Sequence, residues 1–304
     1  MSPLYDQISE NRNRTLILIV VFVALLAGLG WVYGEYTGIG ISASIAAVGI
    51  ALLMTLFSYY AGDSLALWTS GAQGPIKKED APNLYRMIEN LSIAAGLPMP
   101  KVYMIADGAI NAFATGRDPA HASVAVTTGA IEKLEKVELE GVLAHELSHV
   151  KNYDIRYMLL VAVLVGALVM LASWMRRAFF WGGGKRRDNE NNNGNAIILV
   201  VGIAFAILAP LFAQLIKLAI SRQREYLADA SGALLSRYPE GLARALEKIQ
   251  QDKDPLDHAN EATAHLYFAN PFGDIRSKLT ALFSTHPPIN ERVARLRGMT
   301  TPEA

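Results

Sequence analysis

Four long apolar runs constrain this chain more than any other feature. Thr15–Tyr33, Ile39–Ala61 and Tyr157–Met175 contain no charged residue, and Ala196–Ile220 contains one, Lys217. A helix crossing the bilayer core needs about 20 such residues. The first run exceeds the ~7–15 residues of a signal-peptide core, and a second follows almost at once. Two transmembrane helices are therefore expected. The third and fourth runs either span as well, or fold as buried helices or as a hairpin packed on the protein. Pro210, Gln214 and Lys217 interrupt the fourth, and periodicity does not separate these cases.

The polar remainder falls into pieces between these runs. Residues 1–61 are read as a polar N-tail (1–14) and two membrane helices. Residues 62–156 form a first soluble block. Residues 157–220 hold the third and fourth runs around a Gly-, Asn- and charge-rich loop at 176–195, and 221–304 form a second soluble block. In the first block, helical spacing through Leu84, Met87, Ile88 and Leu91 ends at Gly96-Leu97-Pro98. Short strands are expected at Lys101–Ile105, Asn111–Gly116 and Ser123–Thr127, then a turn at Thr128-Gly129 and helices from Ala130 to Arg156. The second block reads as helices over Gln223–Ser236, Pro239–Gln250 and Pro288–Arg297. The expected fold class is α+β, mainly α, with a small sheet attached to a helical membrane anchor. The absence of cysteine excludes a thiol nucleophile and any Cys-ligated metal. Basic and acidic residues balance at 28 each, which gives no support to nucleic-acid binding.

The chemistry concentrates in GVLAHELSHV. His145 and His149, four apart on a helix, lie on one face and reach one point. Neutral imidazole is a good zinc ligand. Glu146 lies about 100° further around the helix, beside a metal rather than on it. A carboxylate there is placed to take a proton from water, as in the His-Glu-x-x-His pattern of zinc metalloproteases. The bland alternative is an amphipathic helix with surface histidines. It would leave two unpaired imidazoles beside the apolar residues Val142, Leu143, Leu147 and Val150.

A catalytic zinc takes a third protein ligand and keeps one position open. The metzincin extension would need Gly at 152 and His at 155; Asn152 and Ile155 stand there. No acid lies between Asp154 and Asp188. Glu225, in SRQREYLADA, is the best third ligand. Asp229, one turn later, would accept the free N–H of a ligating histidine. The alternative for Glu225 is a solvated pair with Arg222. Asp188 and Glu190 fall in the 176–195 loop, His258 and His265 read as surface residues, and His286 in THPP is the second choice.

HELSH, SRQREYLADA and STHPPINERVARL behind an N-terminal pair of membrane helices resemble the HtpX-type membrane zinc metalloproteases, with the CAAX prenyl proteases more distant. The resemblance runs from the first membrane helix to about Arg297. It implies a zincin-like metalloprotease domain holding one zinc ion through His145, His149 and Glu225, with Glu146 as general base and Asp229 behind the ligands. It implies protein or peptide substrates, membrane proteins or misfolded chains among them, cut in envelope-stress quality control. It also gives Asn111, Ala112 and Phe113 a role as an exposed strand beside the zinc on which substrate pairs. His286 and Arg222 either steady the oxyanion of the transition state or serve as helix caps or ion pairs. Two rivals remain: a non-enzymatic scaffold or chaperone with a structural or absent metal, and a CAAX-type processing protease.

Arg12 and Arg14 precede the first run, and the loop between the first two carries no basic residue. By the positive-inside rule the N-terminus, both soluble blocks and the zinc of this multi-pass protein face the cytoplasm, and the resemblance implies the cell (inner, cytoplasmic) membrane. The five basic residues of the 176–195 loop run against a simple four-span model.

Overall fold

A computed structural model describes residues 3–164, 166, 222–252, 254–258, 263–271 and 287–299. The fourth apolar run, most of the third, the 176–195 loop and His286 lie outside the described residues.

Helix α1 (Pro3–Thr37) and α2 (Ile41–Thr69) turn on Gly38 and Gly40, both with positive φ, and pack side by side. Gly30 permits the close approach, since a Cβ there would sit 2.7 Å from the Ala47 methyl. The apolar stretches of the pair are mostly uncovered: over the 18-residue apolar core of each helix, 17% of residues are buried in α1 and 11% in α2. Leu16, Ile17, Val20, Ile45, Leu53 and Phe57 all point outward. A soluble core helix would bury such residues, so this surface fits lipid. The segment read as a polar tail is not a tail: α1 is helical from Pro3, and Asn11 is buried. Likewise α2 continues past Ala61, through Asp63, to Thr69, so the expected boundary at 61/62 falls inside a helix.

The sheet has four strands in the order β1-β2-β4-β3: β1 (Ala72–Gln73), β2 (Lys101–Ile105), β3 (Ala112–Gly116) and β4 (Ala122–Thr127). β2 and β4 run parallel, and β3 pairs antiparallel with β4. The side chains of Ala112, Ala114, Val124 and Val126 join the core formed with α3 (Pro82–Ala95) and α5 (Lys136–Lys151). Those of Phe113, Ala125 and Ile105 join a second cluster with Ala66 and Leu67 of α2 and Leu159. Both faces are therefore covered, one by α3 and α5 and the other by the end of α2 with Leu159, and β3 and β4 are buried at every residue. Thr128 and Gly129, expected as a turn, open α4 (Thr128–Lys133), with the Thr127 side chain as its cap.

α5 is the central helix. A reciprocal capping box of Glu135 and Glu138 starts it, and it is buried from Gly141 to Val150. A helix buried on all sides in the middle of a domain is held by packing rather than by its own propensity. Around it lie α7 (Arg222–Ser236), α8 (Pro239–Gln251) and α9 (Ile289–Gly298). A further helix, α6, runs over 154–164, so the expected boundary at 156/157 also falls inside a helix. Tyr157, Leu160, Val161 and Leu164 of α6 pack on Leu18 and Phe22 of α1 and Ala51 of α2.

Candidate active site

α5 brings His145 and His149 to one face, with their Nε2 atoms 3.1 Å apart. α7 crosses closely enough that a Cβ on Gly232 would sit 2.8 Å from the His145 backbone nitrogen. That approach delivers Glu225. Its Oε2 lies 3.8 Å from His145 Nε2, and its Oε1 lies 3.6 Å from His149 Nε2. Ligands at ~2.0–2.1 Å around a tetrahedral ion stand roughly 3.3 Å from one another. The three donors are thus spaced to share one ion, and all three are buried.

The outer nitrogens of both imidazoles face carboxylates, which directs the Nε2 atoms inward. His145 Nδ1 is 2.9 Å from Asp229 Oδ1, a contact off-line for a straight hydrogen bond. Asp229 is gripped by the Arg292 fork, with Nε donating to Oδ2 at 2.8 Å and Nη2 to Oδ1 at 2.7 Å. His149 Nδ1 meets Asp154 Oδ2 at 3.0 Å, and Asp154 Oδ1 pairs with Arg224 Nε at 3.0 Å. The Arg292 guanidinium lies over the Phe268 ring, and that ring stands edge-on to His145.

Glu146 points to the sheet. Its Oε2 accepts a hydrogen bond from the Ala114 N–H at 2.8 Å. Burial pushes this carboxyl from 4.5 up to about 8; the Glu225 charge adds to the rise, while His149, the Ala114 N–H and Arg292 oppose it. Burial holds His145 down at about 4. Burial also opposes the charge on His149, but Asp154 and Glu225 outweigh it and raise the ring to about 9. Burial would raise Asp229; Arg292 and His145 instead bring it down to about 2.

The structure thus gathers His145, Glu146, His149, Glu225 and Asp229. It corrects two other expectations. Arg222 is exposed at the first turn of α7, and the arginine beside Glu225 is Arg292, with Nη1 3.8 Å from Glu225 Oε2. The strand read as exposed is an edge strand, but a buried one. The Phe268 N–H donates to Ala112 O at 2.8 Å. Asn111 holds the same segment, its amide donating to Ala269 O at 3.1 Å and accepting from the Ala269 N–H at 3.2 Å. Phe113 packs edge-on to Tyr267 on the far face. Four site residues were not assigned from sequence. Asp154 lies five residues past His149 and was readable as a partner for it. Arg292 stands in NERVARL, quoted but given no role. Arg224 and Phe268 carried no signal.

The model of peptidase family M48 matches residues 78–300. The chain belongs to peptidase family M48. It is 44% identical over 295 residues to a protease HtpX homolog of Dictyoglomus thermophilum, covering 97% of this chain and 94% of that one. To the protease HtpX homolog of Thermoanaerobacter pseudethanolicus it is 43% identical over 298 residues, covering 98% of each. To that of Syntrophobacter fumaroxidans it is 45% identical over 291 residues, covering 95% and 99%. Among solved structures it resembles S. mikatae Ste24p, with a TM-score of 0.50 and 18% identity over 97% of this chain and 66% of that one. That likeness speaks for the fold alone. With the M48 match and its two apolar helices, the chain is a membrane metalloprotease.

Proposed function

We propose that this membrane protease is a zinc-dependent endopeptidase in which His145 Nε2, His149 Nε2 and one oxygen of Glu225 hold the ion. The supporting observation is the spacing of those three buried donors, with Asp229 and Asp154 behind the histidines. Three donors among the described residues, rather than four, leave a position for water and favour catalysis over a structural metal. Zinc, when bound, supplies Lewis acidity toward the scissile carbonyl and makes water easier to deprotonate at neutral pH.

The remaining chemistry belongs to the chain. Glu146 takes the proton from the attacking water and passes it to the leaving amine. The Ala114 N–H fixes one of the Glu146 oxygens and leaves the other to act. Arg292, fully buried beside Glu225 and Asp229, donates to the Asp229 carboxylate and holds it ionised. The buried setting excludes bulk water, which strengthens each of these interactions.

The edge of β3 supports a substrate paired through its main chain, with loose side-chain preference. Because the Phe268 N–H now occupies Ala112 O, pairing there requires the 263–271 segment to yield. The apolar helices make membrane proteins and unfolded chains at the bilayer surface the natural substrates. Asn11 is in contact with Asp154, so the start of α1 lies on the same side as the site, and the basic residues of that segment favour the cytoplasmic face. Casein cleavage by purified protein, matched to metal content before and after chelation, tests the reading. Activity that survives complete removal of metal would overturn it.

A further inference from the structure

Asp154 can orient His149 only if its own carboxylate is prevented from turning, and the group that completes this restraint comes from the membrane anchor. Asp154 Oδ1 accepts from Asn11 Nδ2 at 2.7 Å and pairs with Arg224 Nε at 3.0 Å, which leaves Oδ2 for His149 Nδ1. Asn11 Nδ2 also donates to Asn152 O at 2.9 Å, and Asn11 Oδ1 accepts from Arg224 Nη2 at 3.1 Å. Both amide hydrogens and the amide oxygen are therefore used. The one side chain ties together the turn after α5, the start of α6 and the start of α7. Asn11, Asp154 and Arg224 are all buried, and the Arg224 guanidinium is capped by the Tyr157 ring at 4.7 Å. Asparagine is a poor helix former, and an unpaired amide in this interior would be costly. Its place in α1, two residues before the apolar stretch Asn13–Trp31, is explained by these three bonds.

We propose that Asn11 is a positioning residue of the metal centre. By fixing Asp154 and Arg224 it orients His149, so α1 is a working part of the site as well as its tether. The inference rests on the zinc reading above. Without Asn11, Arg224 loses an acceptor and Asp154 a donor at the same oxygen. The carboxylate is then free to turn away from His149, and the imidazole loses the restraint that aims Nε2 inward.

The test uses the full chain in lipid nanodiscs and compares Asn11→Ala, Asn11→Asp and Leu18→Ala. Leu18, from the same helix, is buried in the apolar cluster with Phe22, Leu160 and Leu164 and carries no hydrogen-bonding group. Zinc affinity is read by chelator competition, coordination by the visible absorption of the Co2+-substituted protein, and packing by thermal unfolding of metal-free protein. Both Asn11 variants are expected to weaken zinc binding by about 10-fold or more and to change the cobalt bands. Leu18→Ala should lower the unfolding temperature and leave both metal readouts unchanged. Asn11→Asp keeps the size and the acceptor for Arg224 while losing both donors, and it decides the matter should the alanine variant not fold. Wild-type affinity and spectrum in the Asn11 variants would overturn the proposal, as would an equal loss in Leu18→Ala. A wild-type protein that binds no zinc would overturn the zinc reading as well, so the two failures are distinguishable.

Discussion

His145 and His149 sit four residues apart on one helix, yet their outer nitrogens are held from different parts of the molecule. His145 is backed by Asp229 of α7 and Arg292 of α9, two elements of the second soluble block. His149 is backed by Asp154 at the start of α6, with Arg224 and Asn11 around it at the edge of the membrane helices. Each brace is a carboxylate clamped by a buried arginine. They differ in what else depends on them. Asp229 provides both hydrogen-bond acceptors of the Arg292 fork, whereas Arg224 has Asn11 as a second acceptor. The first brace therefore doubles as a structural staple between α7 and α9. The second, on the proposed zinc reading, ties His149 through Asp154 to Asn11 of α1.

The residue that follows His145 sets the upper end of the scale of effects. Glu146→Gln keeps shape and bond capacity but cannot take a proton. It should lower peptidase activity by roughly 10²–10⁴-fold while metal content stays at the wild-type value. Parallel loss of metal would mean that Glu146 helps to hold the ion, and the division between braces and base would fail.

The first brace should cost more when broken than the second. Asp229→Ala removes both hydrogen-bond acceptors of the buried Arg292 fork and leaves only the longer 3.8 Å contact with Glu225, a kind of change that destabilises by up to about 3–5 kcal/mol. Denaturant unfolding of the metal-free protein should show that loss, together with a ~10–100-fold drop in zinc affinity. Asp154→Ala should show a similar affinity loss with a clearly smaller change in stability, because Arg224 keeps Asn11. Equal destabilisation by the two variants would remove the distinction.

How much of this the sequence could carry depended on distance along the chain. The pair of histidines, Glu146 and the Glu225/Asp229 pair were legible because helical spacing places residues four apart together, whatever the tertiary structure. The strands at Lys101–Ile105 and Ser123–Thr127 were legible as short apolar runs. The same runs hid the covering of β3, since a strand buried on both faces has no polar alternation to show which edge is open. Arg292 and Asn11 were not legible in their roles. Their partners lie 63 and 143 residues away, and only the packing of α9 and α1 brings them together. The pull of Arg14 and its neighbours toward a topology argument also concealed that the segment before the first run is helical, with Asn11 buried in it.

The smallest effect separates the braces by proton count. At pH 7 the metal-free protein holds His145 neutral, because burial lowers it to about 4, and His149 charged, because Asp154 and Glu225 raise it to about 9 against the effect of burial. Zinc must displace that proton from His149. Apparent affinity should then rise about tenfold per pH unit from pH 7 toward 9 and level off above. Stability of the metal-free protein should move the other way. His149 has a folded value above its unfolded one, so its contribution is complete below 6.5 and is lost as the pH rises through about 9. Asp154→Asn removes the charge that sustains the protonated ring, and should flatten the affinity slope between pH 7 and 9. Asp229→Asn, on the other ring, should leave that slope in place. Calorimetric zinc titrations in buffers of different ionisation enthalpy count the displaced proton directly. A slope that both variants flatten alike would show the two imidazoles sharing one proton across their 3.1 Å gap, rather than each answering to its own carboxylate.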